Sequence, residues 1–427
     1  MKNKWFEATE IFDAYERHFA KARSEKVLTH PWENEDRENI IQSAKRMLRY
    51  DEQLIPHISN MQEISRTDYG AYSAIAYRFQ SWEHMYGAAT LYIPNTQDPL
   101  PLVFVCCGHG KQGRRTEGYN RMGHRLASLG IAAITMDNIG QGDRSLTPDN
   151  FKGPDHWFAD APFYCGLTLQ GLIVMETIGL IRYLKNDPRF DPDRFAACGN
   201  SGGGTLTMFL AALAPEISVI SSSGYPSEAT YLLQKERRHC ACNLLIGQAY
   251  EAEMWELYSL FAPKPMLLEG GKFDNLIPMD LAYKNARKIK NTYVQLGAEE
   301  NFSFSLTKTK HPWELEDLNL ISRFLSRKLL GITPEDMQEI IADEDTSPFA
   351  VPMPADMLST QQLSQNLTGI IVPDGIELKD IFPPTLNDIP INPDEIQLNV
   401  GRGDVMRVFA QFECALYNSS AESKRLD

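Results

Sequence analysis

The sequence contains no extended run of Lys or Arg, and acidic residues outnumber basic ones, so that its 427 residues carry a formal charge of −14 at pH 7. Proteins that bind nucleic acid neutralise phosphates with clustered basic side chains, which excludes a general nucleic-acid binder. The charge favours neutral or cationic small molecules as substrates. Hydrophobic and charged fractions of 43% and 23% are those of an ordinary globular protein.

Long hydrophobic runs are also missing. The longest apolar stretch, Gly171 to Ile181, is interrupted by Glu176 and is too short to span a bilayer, so it predicts a buried helix. At the N-terminus, Lys2, Lys4 and Glu7 interrupt any apolar segment of a secretory signal. The sequence therefore predicts a cytoplasmic protein that makes no contact with a membrane.

Cysteine is scarce. The seven cysteines, an odd number in a long chain, predict reduced core thiols rather than a disulfide framework. His239-Cys240-Ala-Cys242 is spaced like half of a metal site, but a closed zinc site needs four ligands and the sequence has no second CxC or CxxC pair. We therefore expect Cys240 and Cys242 to be core thiols and expect no metal.

Three segments of the chain differ in their apolar pattern. Residues 1–65 predict a helical N-terminal extension, because apolar residues from Trp5 to Phe19 and again from Ile40 to Leu48 recur at helical spacing. Residues 66–331 alternate short apolar runs with longer helical patterns, which predicts an α/β catalytic domain with a mostly parallel central sheet flanked by helices.

The third segment, residues 332–427, is a C-terminal extension that we expect to be extended and to wrap around the domain or form a small accessory segment. It contains a short acidic helical pattern from Pro334 to Ile341 and Pro-rich sequence between Ser347 and Pro393. Its last apolar stretch, Val405 to Tyr417, fits a strand that docks on the core or on a partner subunit. Both extensions are expected to shape the substrate entrance or subunit contacts, and a homo-oligomer stays an open alternative.

Within the central segment, the apolar runs predict seven strands, namely Gly87–Ile93, Pro101–Cys106, Ile131–Met136, Arg194–Cys198, Ile217–Ser221, Pro265–Glu269 and Phe302–Thr307. The clearest helix between them runs from Leu169 to Leu184 and ends before Asp187-Pro188, since proline disfavours a helical conformation of the preceding residue. A second helix, from about Asp280 to Leu296, ends at Gly297.

Ser201 is the candidate nucleophile. Gly199-Asn-Ser-Gly-Gly203 fits the pattern G-x-S-x-G between a short strand and a helical pattern. That pattern is typical of a nucleophile elbow, in which a strained turn lifts the serine oxygen out of the sheet and small neighbours make the turn possible. The following amide and helix N-terminus then face the developing negative charge.

Asp274 and His311 are the candidate partners, because in an α/β-hydrolase sheet the acid follows a later strand and the histidine follows the last one. Asp274 lies after the strand that ends at Glu269, and His311 lies after Phe302–Thr307. His311 is then the general base and Asp274 orients it. Asp280 is the alternative acid, interpreted as a helix N-cap instead.

His109 and His239 are the alternative bases, but neither follows the final strand. The loop Cys107-Gly-His-Gly-Lys111 instead stands where this fold places the second oxyanion amide. We assign the oxyanion hole to the backbone N–H groups of His109 and Gly202, with Gly110 and Lys111 as alternative donors. The same loop lacks the Gly-Lys-Ser/Thr ending of a phosphate loop, so no cofactor is expected.

These residues together resemble the acetyl xylan esterase-like branch of the α/β hydrolases, related to cephalosporin-C deacetylase and dienelactone hydrolase-like enzymes. The resemblance covers about Asp68 to Gly331. It is carried by the blocks Cys107–Gly110, Asp137–Gly142, Asp191–Gly204, His239–Asn243 and Leu260–Asp274 with Pro278. It implies hydrolysis of small acyl esters, often acetyl groups on carbohydrates, with the triad on Ser201, Asp274 and His311.

The leading hypothesis is a serine carboxylic-ester hydrolase that works through an acyl-enzyme. Two alternatives stay open. The same machinery could cleave amides or peptides, or the chain could be a non-catalytic binding protein with this fold, although a binding protein has no need of all three triad residues.

Overall fold

The computed structural model describes residues 32–371 except 148–151, 154, 158, 160, 229–230, 232–239, 244, 246–247, 249–250 and 335–344. Several sequence expectations therefore lie outside the described residues. They are the apolar face from Trp5 to Phe19, almost all of the helix predicted at 334–341, the segment at 405–417 and the alternative base His239.

The described part of the chain forms a nine-stranded sheet with helices around it. The strands in chain order are β1 (Ser59–Asp68), β2 (Tyr72–Gln80), β3 (Tyr86–Pro94), β4 (Leu100–Cys106), β5 (Ala132–Met136), β6 (Phe190–Asn200), β7 (Ile217–Ser223), β8 (Met266–Gly271) and β9 (Phe302–Thr307). The helices are α1 (Asn34–Leu48), α2 (Glu117–Ser128), α3 (Ala161–Tyr164), α4 (Leu169–Leu184), α5 (Gly202–Leu213), α6 (Met254–Ser259), α7 (Met279–Gln295), α8 (Leu315–Leu330) and α9 (Thr360–Thr368).

The spatial order of the strands is β1-β2-β3-β5-β4-β6-β7-β8-β9. The first three strands and β5 pair antiparallel, whereas every pair from β5 and β4 to β9 is parallel. Because parallel strands end at the same edge, the loops after β4, β6, β8 and β9 can converge on one site. The predicted fold class, a mostly parallel sheet between helices, is confirmed.

Two apolar layers cover the faces of the sheet. Helix α4 belongs to the first layer and has almost all of its residues buried, as its unbroken apolar sequence predicts. The Thr168 hydroxyl caps it by accepting a hydrogen bond from Gly171 N–H at 2.9 Å. The bounds expected for this helix agree with the structure, which supports the use of proline as a stop signal.

The sheet begins earlier than the sequence suggests. Strands β1 and β2 were not predicted, and residues 59–65, which the sequence assigned to the helical extension, pair with β2. Strand β1 lies at the sheet edge and buries no residue fully, so its sequence lacks the alternation that marks a half-buried strand. The described helix α1 agrees with the helical pattern from Ile40 to Leu48.

Residues 345–371, which we call the C-terminal strap, run back over the sheet. Phe349 and Val351 are buried in the second layer, and Leu358 N–H donates to the carbonyl of His84 at 2.9 Å. The expectation of extended, wrapping structure missed α9, whose first turn is fixed by a reciprocal capping box between Ser359 and Gln362. Among the described residues, no helix has both the length and the apolar character needed to cross a membrane.

Candidate active site

Ser201 occupies the turn between β6 and α5 and has φ 60° and ψ −123°. A non-glycine residue with positive φ is uncommon and strained, and such strain concentrates at functional sites. The neighbours must be small, since a Cβ on Gly203 would overlap the carbonyl of Cys106 and one on Gly199 would overlap the carbonyl of Gly203. The turn therefore has the geometry of a nucleophile elbow.

His311 and Asp274 lie side by side at the ends of the last two strands. The chain leaves β8 through Gly271 and reaches Asp274 within one turn, while His311 follows β9. His311 Nδ1 is 2.8 Å from Asp274 Oδ2, and the two side chains are 13% and 1% exposed. The structure thus brings together two residues that stand 37 positions apart in the sequence.

Asp274 is held as a carboxylate. Burial by itself would raise the pKa of Asp274, but the hydrogen bond and charge of His311 and the amides of Leu276 and Ile277 together lower it below its usual value. Those amides donate to Asp274 Oδ1 at 2.7 and 3.0 Å. The alternative acid, Asp280, is exposed in the first turn of α7; Pro278 rather than Asp280 is the N-cap of that helix.

Asn200 and Gly224 connect the histidine to the elbow, and sequence reasoning assigned neither. Asn200 Nδ2 donates to the carbonyl of His311 at 2.9 Å, and a Cβ on Gly224 would lie 3.1 Å from His311 Cε1. Ser201 N–H donates to the carbonyl of Ser223, next to Gly224, at 3.0 Å. His311 Nε2 is buried and has no hydrogen bond to a described residue, so it is available to the nucleophile.

The loop after β4 lies against the start of α5. A Cβ on Gly108 would stand 3.2 Å from Gly202 N, and Gly108 N–H donates to the Tyr119 hydroxyl at 2.7 Å. Gly202 is the first residue of α5, so its N–H has no carbonyl one turn earlier to bind. The His109 ring packs over Gly202, with Cε1 3.5 Å from the position of a Cβ there.

Cys107 points away from this loop. Its side chain is buried in the second apolar layer, and burial raises the pKa of the Cys107 thiol well above its usual value. Its carbonyl accepts a hydrogen bond from Asn138 Nδ2 at 2.8 Å. The cysteine therefore packs behind the site as a neutral thiol.

A buried ion-pair network fixes the loop after β5. The fully buried Arg114 guanidinium contacts Asp137 at 2.5 Å and Asp143 at 2.8 Å, and it also donates to the carbonyl of Phe349 in the C-terminal strap at 2.5 Å. Arg144 pairs with the equally buried Glu176 at 2.7 Å. Breaking one partner of such a pair leaves an uncompensated buried charge, so this loop is held firmly.

The cysteine expectation is wrong for two residues. Cys240 and Cys242 form a disulfide in the structure, whereas Cys106, Cys107 and the other described cysteines, Cys165 and Cys198, are free and buried. The sequence could not show this, because no distance between two sulfurs follows from spacing alone. Two histidines from distant loops, His109 and His156, lie against the pair.

His156 was not singled out in the sequence. It lies in the loop after β5, fully buried, and burial lowers its pKa to about 4, so the imidazole is neutral at physiological pH. His156 Nδ1 is 2.6 Å from the carbonyl of Ile139, and Nε2 is 3.0 Å from Gln141 Nε2. A carbonyl can only accept, so Nδ1 carries the proton and Nε2 carries the lone pair.

The chain is similar to known proteins in both sequence and fold. Residues 51–237 match the family model of acetyl xylan esterase (AXE1). A relative from Bacillus subtilis (strain 168), named "Putative hydrolase YtaP", is 25% identical over 228 residues, which cover 51% of this chain and 74% of that protein.

Two solved structures illustrate the fold. Methylesterase BT1017 has a TM-score of 0.57 at 16% identity and is matched over 84% of this chain and 78% of that one. A glucuronoyl esterase from Solibacter usitatus has a TM-score of 0.54 at 12% identity, over 68% of this chain and 92% of that one.

The fold and the family match together define an α/β hydrolase that is a carboxylic ester hydrolase. Within that class, the resemblance to the acetyl xylan esterase-like branch, expected from the sequence, is confirmed by the family match.

Proposed function

We propose that the chain is a serine esterase that removes small acyl groups, acetyl above all, from carbohydrate esters through an acyl-enzyme. The observation that carries the proposal is the strained Ser201 at φ 60° beside a buried His311–Asp274 pair only 2.8 Å apart. Packing alone explains neither the backbone strain at Ser201 nor the lack of a hydrogen bond between His311 Nε2 and a described residue.

The proposed first half-reaction transfers the acyl group to the enzyme. Ser201 Oγ attacks the ester carbonyl carbon while His311 Nε2 takes the hydroxyl proton, and Asp274 keeps the other proton on Nδ1 and stabilises the imidazolium. The N–H groups of Gly202 and His109 bind the oxyanion of the tetrahedral intermediate. Each such donor contributes about 2.7–4 kcal/mol of transition-state stabilisation. The C–O bond then breaks, and His311 returns its proton to the leaving alcohol.

The second half-reaction regenerates the serine. A water gives its proton to His311 Nε2 and attacks the acyl carbon, and the collapse of the second intermediate returns the proton to Ser201 Oγ and releases the carboxylic acid. Both halves use the same three side chains and the same two amides. No step of the proposed reaction needs a cofactor.

Three observations support a carbohydrate acyl ester as substrate. The family model that matches residues 51–237 is that of acetyl xylan esterase. The half-buried Trp157 ring lies 5.2 Å from the His109 ring. It offers an apolar face beside the loop of residues 107–111, which we call the oxyanion loop. The net charge of −14 favours a neutral substrate such as an acetylated sugar.

The experiment that tests the proposal compares p-nitrophenyl acetate with p-nitrophenyl octanoate on the wild type and on Ser201→Ala. Clear turnover of acetate, weaker turnover of octanoate and loss of both in the variant are expected. Ser218→Ala serves as the matched control, because Ser218 lies on β7 and its hydroxyl donates to the carbonyl of Phe195. If Ser201→Ala keeps wild-type turnover while folded, the nucleophile is wrong.

A pair of aspartate variants tests the orienting acid. Asp274→Asn is expected to lower kcat/KM by about 10⁴-fold because the amide cannot hold His311 in the correct tautomer, whereas Asp280→Asn is expected to be as active as the wild type. The reverse pattern would assign the acid to Asp280. Release of acetate from acetylated xylo-oligosaccharides, set against methanol from methyl uronate esters and aniline from acetanilides, then decides between acyl ester, methyl ester and amide substrates.

A further inference from the structure

Four side chains with soft or borderline metal-ligand atoms converge beside the oxyanion loop. His109 comes from the loop after β4, His156 from the loop after β5, and Cys240 and Cys242 from the segment after β7. One ligand atom from each lies within 4.8 Å of every other. Ligands around tetrahedral zinc stand roughly 3.3–3.8 Å apart, given Zn–S and Zn–N distances of about 2.3 and 2.0 Å. The spread of the four atoms is therefore close to that of one coordination sphere.

The Nε2 atoms of His109 and His156 both point into the cluster. His109 Nε2 is 3.3 Å from Cys242 Sγ, so this nitrogen faces the cluster. The proton of His156 is fixed on Nδ1 by the carbonyl of Ile139 at 2.6 Å, which leaves Nε2 as the ligand atom. A metal-bound histidine usually donates its other ring N–H to a carbonyl or carboxylate in this way.

The sulfur side of the cluster is also supported by neighbours. Asn243 Nδ2 lies 3.6 Å from Cys240 Sγ, as an amide that donates to a thiolate would. Ala241 N–H donates to the carbonyl of Trp157 at 3.0 Å and so ties the cysteine segment to the loop that carries His156. The two cysteine positions are therefore held against the two histidines by hydrogen bonds that do not depend on the bond between the sulfurs.

The disulfide between Cys240 and Cys242 contributes little to the fold by loop closure. It encloses a single residue, and the stabilisation that a disulfide provides through the unfolded chain grows with the size of the loop that it closes. Once a thiol reductant has converted this disulfide to two thiols and has itself become a disulfide, the two sulfurs are free to act as metal ligands beside the two imidazoles.

We propose that the reduced form of Cys240 and Cys242, together with His109 and His156, binds one zinc ion in a closed His₂Cys₂ site. Two thiolates and two imidazoles are the ligand set of many structural zinc sites. Soft sulfur ligands also disfavour Mg²⁺ and Ca²⁺, which take oxygen. Binding at His156 Nε2 replaces the contact of that atom with Gln141, and the two thiol protons leave to solvent.

The site would position the oxyanion loop rather than the substrate. Four protein ligands leave no open coordination position, so the metal does not act as a Lewis acid on the ester. It holds the His109 side chain, and the backbone of the same residue carries one of the two amides assigned to the oxyanion. In the reduced, metal-bound form the zinc therefore ties this loop to the cysteine segment, whereas in the disulfide form the 3.3 Å contact between His109 Nε2 and Cys242 Sγ joins them.

The test is direct titration of the full chain with Co²⁺ as a spectroscopic substitute for zinc. The protein is first reduced with a phosphine, which with one water converts the disulfide to two thiols and leaves as the phosphine oxide. We expect one Co²⁺ per chain, with visible bands of a tetrahedral ion and near-ultraviolet thiolate-to-cobalt charge-transfer bands. The unreduced protein should show neither, and this comparison needs no variant.

Variants then assign the ligands. Cys242→Ser and His156→Gln should lose the tetrahedral spectrum, whereas Cys165→Ser, which removes a free buried cysteine in α3's C-terminal turn, should keep it. The proposal is overturned if the reduced wild type binds no more Co²⁺ than the Cys240→Ser/Cys242→Ser double variant. It is also overturned if the charge-transfer bands survive in that double variant, because the thiolates would then lie elsewhere.

A kinetic measurement tests the positioning role. Removal of zinc from the reduced wild type by a chelator is expected to lower kcat for p-nitrophenyl acetate about tenfold with little change in KM, since the oxyanion amide acts mainly in the transition state. An unchanged kcat would refute the positioning role. The metal titration needs no esterase activity, so failure of the proposed function and failure of the metal site are separate results.

Discussion

At the scale of single residues, Ser201 carries a conformation that glycine would adopt without strain. Its φ of 60° with ψ of −123° lies in a region that side chains with a Cβ avoid. The cost of such a conformation is about 1–3 kcal/mol, and it persists because the surrounding structure imposes it. We infer that the fold gives up stability at this position in order to present the serine oxygen.

This inference predicts that Ser201→Gly is more stable than Ser201→Ala, although both are inactive. The glycine variant relieves the strain and loses some of that gain to the greater entropy of the unfolded chain, which leaves about 1 kcal/mol in its favour. Urea unfolding of the two variants measures the difference. An alanine variant as stable as the glycine variant would mean that the turn stores no strain.

A second residue-scale feature is a neutral acid behind the site. Glu269 on β8 is almost fully buried, and burial, together with the charge and hydrogen bond of Asp317, raises its pKa well above its usual value. Thr307 Oγ1 donates to Glu269 Oε1 at 3.2 Å. The carboxyl is therefore protonated in the folded chain at pH values where the unfolded chain has lost the proton.

This shift makes stability depend on pH in a definite direction. Because the folded pKa is the higher one, the protonated Glu269 contributes fully below about pH 4.5, the ordinary value, and that contribution falls as the pH rises towards the folded pKa. Glu269→Gln keeps the shape without the titration, so its Tm should fall less than that of the wild type over the same rise in pH. Parallel Tm curves from pH 4.5 to 9 would contradict a buried neutral acid.

At the scale of elements, the C-terminal strap behaves as part of the core. Phe349 is 1% exposed, its carbonyl accepts from the buried Arg114, and Val351 N–H donates to Asp143 Oδ2 at 2.8 Å. Thr360 N–H donates to Asp155 Oδ1 at 2.9 Å, next to His156. Through these hydrogen bonds the strap holds the loop after β5, which carries His156, in place.

Phe349→Ala should therefore destabilise the protein by about 3–5 kcal/mol, the usual cost of removing a buried phenylalanine side chain. The backbone carbonyl that pairs with Arg114 stays in place, so the loss reports packing alone. Ile371→Ala, in the same strap but 81% exposed, should change stability by no more than about 0.5 kcal/mol. Equal effects of the two substitutions in urea unfolding would mean that the strap does not pack as described.

The same elements show what the sequence could reveal about the fold. All seven predicted strands exist, and the central parallel ones are marked by continuous apolar runs such as Leu100–Cys106, with every residue buried. The edge strand Ser59–Asp68 has no such run. Strand Tyr72–Gln80 carries Ile75, Tyr77 and Phe79 at alternate positions, so its pattern is that of a strand, and the prediction of seven strands overlooked it.

The site divides in a similar way. The position of Ser201 in a turn between a strand and a helix was predictable because that turn demands a local glycine pattern. The positions of Asp274 and His311 after the last two strands were predictable from chain order along a parallel sheet. The cluster of His109, His156 and the two cysteines was not predictable. Its members come from three loops whose convergence depends on tertiary packing, and His156 stands alone in the sequence without a spaced partner.

At the scale of the whole molecule, the net charge of −14 should repel anionic substrates. The screening length falls from about 30 Å at 0.01 M salt to about 10 Å at 0.1 M, so added salt weakens this repulsion. We expect kcat/KM for an anionic ester, p-nitrophenyl succinate, to rise roughly twofold or more over that range. The neutral acetate ester should change little.

Two lysines near the site produce a local positive field that opposes the negative field of the whole molecule. Lys272 and Lys310 are exposed near the Asp274–His311 pair and would attract an anion if their charges outweighed the global field. In that case kcat/KM for the succinate ester would fall with salt, and Lys272→Gln/Lys310→Gln would abolish the fall. A rise with salt in both the wild type and this double variant would instead assign the preference for neutral esters to the charge of the molecule as a whole.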